Sequence, residues 1–183
     1  MTRDTAAVKR ADAERNRAKI LAVAREALAG SGDLPSMAEI SRRAGVGMAT
    51  LYRNFPGRLE LIEELYRTQI DEICSAAENA EGETPGEAFF AWLDYFHAAG
   101  ARKGPLATLL LADSPGESRV LSEHRARVIA AAEPLFQAAQ RSGEVRDDVA
   151  LGEVLDAVVA AGRIPASRGS MVRVLFDGLR RHG

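Results

Sequence analysis

AEISRRAGVGMATLYRNFPGR, residues 38–58, decides the fold. It sets six arginine or aromatic residues (Arg42, Arg43, Tyr52, Arg53, Phe55 and Arg58) around a Gly45-Val46-Gly47 turn. Just upstream, Ser36 and Glu39 have capping-box spacing and open a short helix through Ala44. Met37, Ile40 and Ala44 share one face of that helix. Gly45 is free to adopt φ > 0, which turns the chain and points Val46 inward. A second helix starts at Gly47, with Leu51 and Phe55 toward the core and Ala49 and Arg53 on the opposite side, flanked by Thr50 and Tyr52. A short helix, a glycine turn, then a helix with small residues at its start and polar ones outward is the pattern of a helix-turn-helix. Small leading residues suit an end that must enter a major groove about 12 Å wide.

Outward from this stretch the hydrophobic pattern is helical almost everywhere, and strand alternation is absent. Ile20, Ala24, Ala27 and Leu28 mark a first helix over about Ala13–Ala29, ended by Gly30 and Gly32. A helix over Leu59–Ala77 follows the motif. Thr84 with Glu87 and Ser114 with Glu117 repeat the capping device with proline just after the cap, predicting helices over 84–99 and 115–141. The second of these is expected to kink or break near Pro134. Asp147 or Asp148 begins another through Ala161, and Pro165 separates it from a last helix over Ser167–Arg181. The fold class is all-α: residues 1–11 a flexible arm, 12–58 a three-helix helix-turn-helix domain, and 59–183 a larger helical domain.

Charge divides along the same boundary. Residues 1–58 hold 11 Lys/Arg against 6 Asp/Glu, whereas residues 59–183 hold 13 against 20. A basic first third suits a polyanion, although a solvated face has the same composition. The 46% hydrophobic and 27% charged content is that of a soluble globular protein. Cys74 is the one cysteine, so no internal disulfide forms; the first twenty residues lack the apolar core of a secretory signal, and no apolar run reaches the roughly 20 residues of a membrane span. A cytoplasmic protein with no membrane partner is expected. His97, His124 and His182 are far apart without metal-ligand spacing, so neither a metal nor another cofactor is implied. G-V-G-M-A-T lacks the third glycine and the preceding strand of a dinucleotide fingerprint, and no catalytic constellation stands out.

The stretch SMAEISRRAGVGMATLYRNFPGRLELI, residues 36–62, resembles the DNA-binding signature of the tetracycline-repressor-like (TetR) family of bacterial regulators. The resemblance covers about residues 15–65; the acidic remainder, residues 59–183, resembles in architecture only that family's variable effector-binding and dimerisation domain, and the resemblance implies those two roles for it. It implies phosphate contacts from Ser36, Tyr52 and Arg58, consistent with a helix N-terminus, a phenol donor and a bidentate guanidinium. Base reading falls to Met48, Ala49, Thr50 and Arg53, with Arg53 suited to guanine and Ala49 and the Thr50 methyl to thymine methyls. Arg42 and Arg43 are open between DNA contact and solvated charge. Gly47 stands where the family commonly has a Ser or Thr cap, and Asn54 where a His is frequent; glycine caps nearly as well.

Phe89, Phe90, Trp92, Tyr95 and Phe96 are five of the ten aromatics. Their helix is apolar over more than one face, which fits either a central core helix or a cavity where Phe89, Trp92, Tyr95, Phe96 and His97 hold an apolar small-molecule effector. Two later stripes, Leu151, Val154, Leu155, Val158, Val159 and Met171, Val174, Leu175, Gly178, Leu179, pack either within one chain or as a two-fold four-helix bundle. The family favours the bundle, which holds two reading heads on a palindromic double-stranded DNA operator. The resulting expectation is a homodimeric, effector-responsive transcriptional regulator, a repressor. A helical interaction module binding a protein or membrane surface, and an unrecognised enzyme, are the alternatives.

Overall fold

The computed structural model describes residues 2–31, 33–113, 118–162 and 168–181. Among these, eight α-helices follow one another: α1 Thr2–Ser31, α2 Met37–Ala44, α3 Met48–Asn54, α4 Arg58–Glu78, α5 Pro85–Asp113, α6 Ser118–Arg141, α7 Leu151–Gly162 and α8 Arg168–Leu179. An isolated antiparallel bridge between Val145 and Arg180 is the other backbone pairing of note. Two compact units result, Met1–Arg67 with Pro105–Pro115, and Thr68–Gly104 with Gly116–Gly183. The division thus falls inside α4 after Arg67, not at its start as the 58/59 boundary implies.

In the first unit α1, α2 and α3 pack against one another. The expected stripe is realised by Ile20, Leu21, Ala24 and Leu28, which are buried with Leu34, Ile40, Ala44, Leu51, Phe55, Leu61, Ile62 and Leu65. α1 begins at Thr2, so the segment expected to be a flexible arm is helical. Its alanines, arginines and glutamates are good helix formers with no glycine or proline among them until Gly30. α1 also passes through Gly30 to Ser31; Gly32 lies outside the described residues.

The second unit is built on aromatic packing. Phe89, Phe90, Trp92, Leu93 and Phe96 of α5 are buried with Ile70, Ile73 and Ala77 of α4 and Val128, Ala132, Phe136 and Ala139 of α6. Ring centroids of Phe89 and Phe136 are 5.2 Å apart, those of Trp92 and Phe96 5.6 Å, and those of Phe90 and Phe176 6.0 Å. Such pairs contribute roughly 0.5–1.5 kcal/mol each beyond area burial. Thr84 caps α5 by accepting from the Glu87 N–H at 3.2 Å, and Pro85 is the first helical residue. The helix outruns the expected end near residue 99, and its last turns belong to the first unit, where Leu106 and Leu110, one turn apart, are both buried.

α6 runs unbroken through Pro134. Buried Val128, Ala132, Phe136 and Ala139 hold it on either side, while Pro134 and Ala130, whose carbonyl loses its partner to the missing N–H, lie on the exposed side. The Ser114–Glu117 capping box and the Pro165–Ser167 boundary lie outside the described residues. α7 starts at Leu151 instead of Asp147 or Asp148: Glu153 accepts from the Ala150 N–H at 2.9 Å, and the two aspartates pair with Arg181 and Arg146. Main-chain bonds from Arg146 N–H to Leu179 O (3.0 Å) and from Arg181 N–H to Glu144 O (3.1 Å) fasten the α6–α7 loop to the end of α8. Glu144 accepts from Ser142 at 2.6 Å, from Thr84 and from the Gly86 N–H at 2.9 Å, which hold its carboxyl below the usual range.

Candidate nucleic-acid interface

The turn between α2 and α3 has a backbone cause. Gly45 takes φ 64° and ψ 31°; its N–H donates to Arg42 O at 3.3 Å, and the Val46 N–H donates to Ser41 O at 3.1 Å. This paired closure is a Schellman ending, and its left-handed residue is the reason for glycine. Ser41, buried at 5% exposure, adds a side-chain lock by donating from Oγ to Val46 O at 2.6 Å. Val46 is half-buried. Gly47 caps α3 in extended geometry (φ −69°, ψ 150°), and its carbonyl accepts from the Thr50 and Leu51 N–H groups.

α3 has seven residues, too few to be stable alone. Leu51 and Phe55 anchor it, buried to 0% and 1% exposure. Opposite them Met48, Ala49, Tyr52 and Arg53 are all exposed, and Thr50 is half-buried. Every candidate base-reading residue except Thr50 therefore faces solvent. Arg53 donates from Nη2 to Thr50 Oγ1 at 2.8 Å, so two of the candidate readers already touch. Asn54 turns back on its own helix, donating to Thr50 O at 2.8 Å.

The phosphate candidates divide. Ser36 caps α2, its Oγ accepting the Glu39 N–H at 3.3 Å, so the hydroxyl proton is available to an acceptor. Tyr52 is 46% exposed. Arg58 is engaged internally, donating to Pro35 O at 2.9 Å with Asp33 at 3.9 Å, and thereby ties the start of α4 to the loop before α2. Arg42 and Arg43 both bind the Glu39 carboxylate, at 2.7 and 2.6 Å. Hydrogen bonds from Arg42 and then Arg43 lower Glu39 to about 2. The capping box is thus half made: Glu39 supplies its N–H to Ser36 but spends its carboxylate on two arginines rather than on the cap.

Sequence reasoning missed Arg17. It continues the α1 stripe one turn before Ile20, and a charged residue at a stripe position was the available signal. Its guanidinium lies 4.4 Å from the Phe55 ring centroid, donates from Nη1 to Asn54 O at 3.1 Å and meets Glu64 at 3.0 Å. Burial pushes Glu64 up, but the hydrogen bond from Arg67 and the charge of Arg17 outweigh it and hold the carboxyl below its ordinary value.

In the second unit, Phe89, Trp92 and Phe96 are core residues, and Trp92 Nε1 donates to Ile73 O at 3.2 Å. Tyr95 and His97 are half-buried, and the His97 ring lies beside Gly162 on α7. The residues expected at a dimer face also divide. Leu151, Val154, Leu155, Val158 and Leu179 are already buried in the single chain, where α7 packs on α6 and α8. Of the two packings open to the stripes, these residues take the one within the chain, because an apolar stripe is satisfied by whichever helix covers it first. Val159, Met171 and Val174 remain exposed at 39%, 40% and 64%, Gly178 is exposed, and Leu175 is half-buried. Among the described residues no helix is long and apolar enough to cross a membrane.

A glycine-turned helix pair presenting a solvent-facing ridge of Met48, Ala49, Tyr52 and Arg53 defines a helix-turn-helix DNA-binding protein. Residues 20–65 match the description of bacterial regulatory proteins of the tetR family, and residues 84–181 that of the SbtR-like transcriptional regulator C-terminal domain. A TetR transcription regulatory protein from Mycobacterium vanbaalenii is 36% identical, with 93% of this chain and 98% of that one covered at a TM-score of 0.71. A TetR transcriptional regulator from Streptomyces coelicolor is 31% identical, covering 91% and 99% at 0.69. Salmonella enterica GusR, 21% identical over 89% and 92%, shares the fold at 0.64. No curated protein matches. The chain belongs to the TetR family and is a DNA-binding transcriptional regulator.

Proposed function

We propose that the chain is a homodimeric repressor that reads a two-fold symmetric operator through α3 and is released by a small, largely apolar effector bound in the second unit. The observation that carries this reading is the ridge Met48, Ala49, Tyr52 and Arg53, exposed on a helix whose other side is buried. Met48, Ala49, Thr50 and Arg53 read base edges; Ser36, Tyr52 and, less directly, Arg43 and Arg58 meet phosphates. Val159, Met171, Val174 and Gly178, with Leu175, form the face that a second copy covers, since a two-fold contact needs one self-complementary patch.

The effector lies against α5, where Tyr95 and His97 offer polar handles beside the aromatic core of Phe89, Trp92 and Phe96. α4 and α5 each have residues in both units and are the covalent route from effector to reader. An effector shifts the protein off DNA only by its differential affinity for two states, and operator DNA must weaken effector binding by the same factor, typically about 5- to 150-fold. The test starts from a duplex that the protein enriches from a random-sequence library. A panel of small apolar compounds is then titrated, following emission of Trp92, the only tryptophan, with and without that duplex. A compound binding equally in both titrations is no effector, and a panel that never perturbs Trp92 makes the aromatic cluster core alone.

A further inference from the structure

We propose that Arg17 is a positioning residue for DNA reading: from α1 it fixes the C-terminal end of the reading helix and joins that end to α4. α3 is only seven residues long, and its last carbonyls have no partners within the helix. Leu51 O receives the Phe55 N–H at 2.8 Å and Thr50 O receives the Asn54 side chain at 2.8 Å. The carbonyl of Asn54, the last helical residue, receives Arg17 at 3.1 Å. A cation at this end also complements the negative pole of the helix.

The same guanidinium stacks over Phe55, the residue that ends α3, at 4.4 Å, and pairs with Glu64 of α4 at 3.0 Å. Its side chain is 37% exposed and that of Glu64 15%, so the pair is partly shielded from water. One planar group therefore holds the axis of α3 from its buried end, while Met48, Ala49, Tyr52 and Arg53 project from the other side. Base contacts depend on helix placement to within about half an ångström, so loss of this hold is felt in sequence discrimination before it is felt in general attraction to DNA. Lysine at this position would keep the charge but lose the two-pronged geometry.

The test compares two duplexes, one enriched by the wild-type protein from a random-sequence library and one of scrambled sequence, across several salt concentrations. Arg17→Met keeps an apolar stem over Phe55 and removes the donors. It should lose roughly tenfold to hundredfold affinity for the enriched duplex, the span expected for a lost charged hydrogen bond, with little change on the scrambled one and an unchanged salt slope. Arg17→Lys should recover part of the loss, and Glu64→Gln should show the same pattern more weakly. These two variants carry the test if Arg17→Met fails to fold. Equal losses on both duplexes with a slope flatter by about one unit would make Arg17 a direct phosphate ligand, and folded variants with wild-type discrimination would make it simple scaffold; either overturns the proposal.

Discussion

Val174→Glu and Val158→Glu change the same residue type on neighbouring helices, yet they should fail in different ways. Val158 is 1% exposed and Val174 64% exposed in the single chain. A glutamate at 158 places a carboxylate in the α6–α7–α8 core without a partner, which unfolds the second unit at any protein concentration. A glutamate at 174 costs the isolated chain no more than about 0.5 kcal/mol, as surface changes do. Its effect is on association. Fully burying a valine is worth about 1.5–3 kcal/mol, and nearly two-thirds of Val174 remains to be covered, so each copy forfeits roughly 1–2 kcal/mol. Two-fold symmetry counts the loss twice, giving about 2–4 kcal/mol, or a dissociation constant weaker by roughly 30- to 700-fold before any repulsion between the two carboxylates. Sedimentation equilibrium over a wide concentration range, with helical content followed by circular dichroism, separates the outcomes. Val158→Glu should lose helicity, whereas Val174→Glu should keep its helices as a monomer. A Val174→Glu dimer as tight as the wild type would refute the assignment of this face.

Arg53→Ala should cost about 1–3 kcal/mol on an enriched duplex and relax preference at one base pair, as a selection repeated with the variant would show. Arg58→Ala should weaken all duplexes alike and lower the urea midpoint, since Arg58 also holds Pro35 O. Glu39→Gln releases Arg42 and Arg43 from their internal anion and should tighten enriched and scrambled duplexes alike by several-fold, with a steeper salt slope. Because its partners lower Glu39 to about 2, its stabilising pairing is complete above the ordinary carboxylate value of about 4.3 and is lost only as pH falls through about 2. Duplex affinity measured between about pH 5 and pH 8 should therefore show no step from Glu39. Gly45→Ala should cost about 1–2 kcal/mol of stability in a urea titration, from the left-handed backbone alone, because nothing beyond the adjoining residues lies within 4 Å of the added methyl.

The reading motif was legible because several local rules agree at one place: Ser36 caps, Gly45 turns, Leu51 and Phe55 share a buried side, and Arg53 stands opposite. What periodicity leaves open is which neighbour covers an apolar stripe. Leu151, Val154, Leu155 and Val158 have the spacing of an interface and the burial of a core, and of the apolar stripe named on that helix Val159 stays outside. Long-range polar contacts were equally hidden. Arg17 meets Asn54 across 37 positions and Arg58 meets Pro35 across 23, separations at which no sequence spacing is informative. The α1 extension was missed because alanine-rich, charged segments satisfy both helix propensity and the composition of a mobile tail.

The seven-residue helix α3 divides its residues between two independent selective pressures. Leu51 and Phe55 answer to folding and tolerate little change, whereas Met48, Ala49, Tyr52 and Arg53 touch the core so little that replacing them leaves stability within about 0.5 kcal/mol. If these four residues read DNA as proposed, target preference can drift, or be rewritten, without passing through unfolded intermediates. After a gene duplication, a copy of this chain could acquire a new binding site through a few codons at 48, 49, 52 and 53 while the scaffold beneath stays constant.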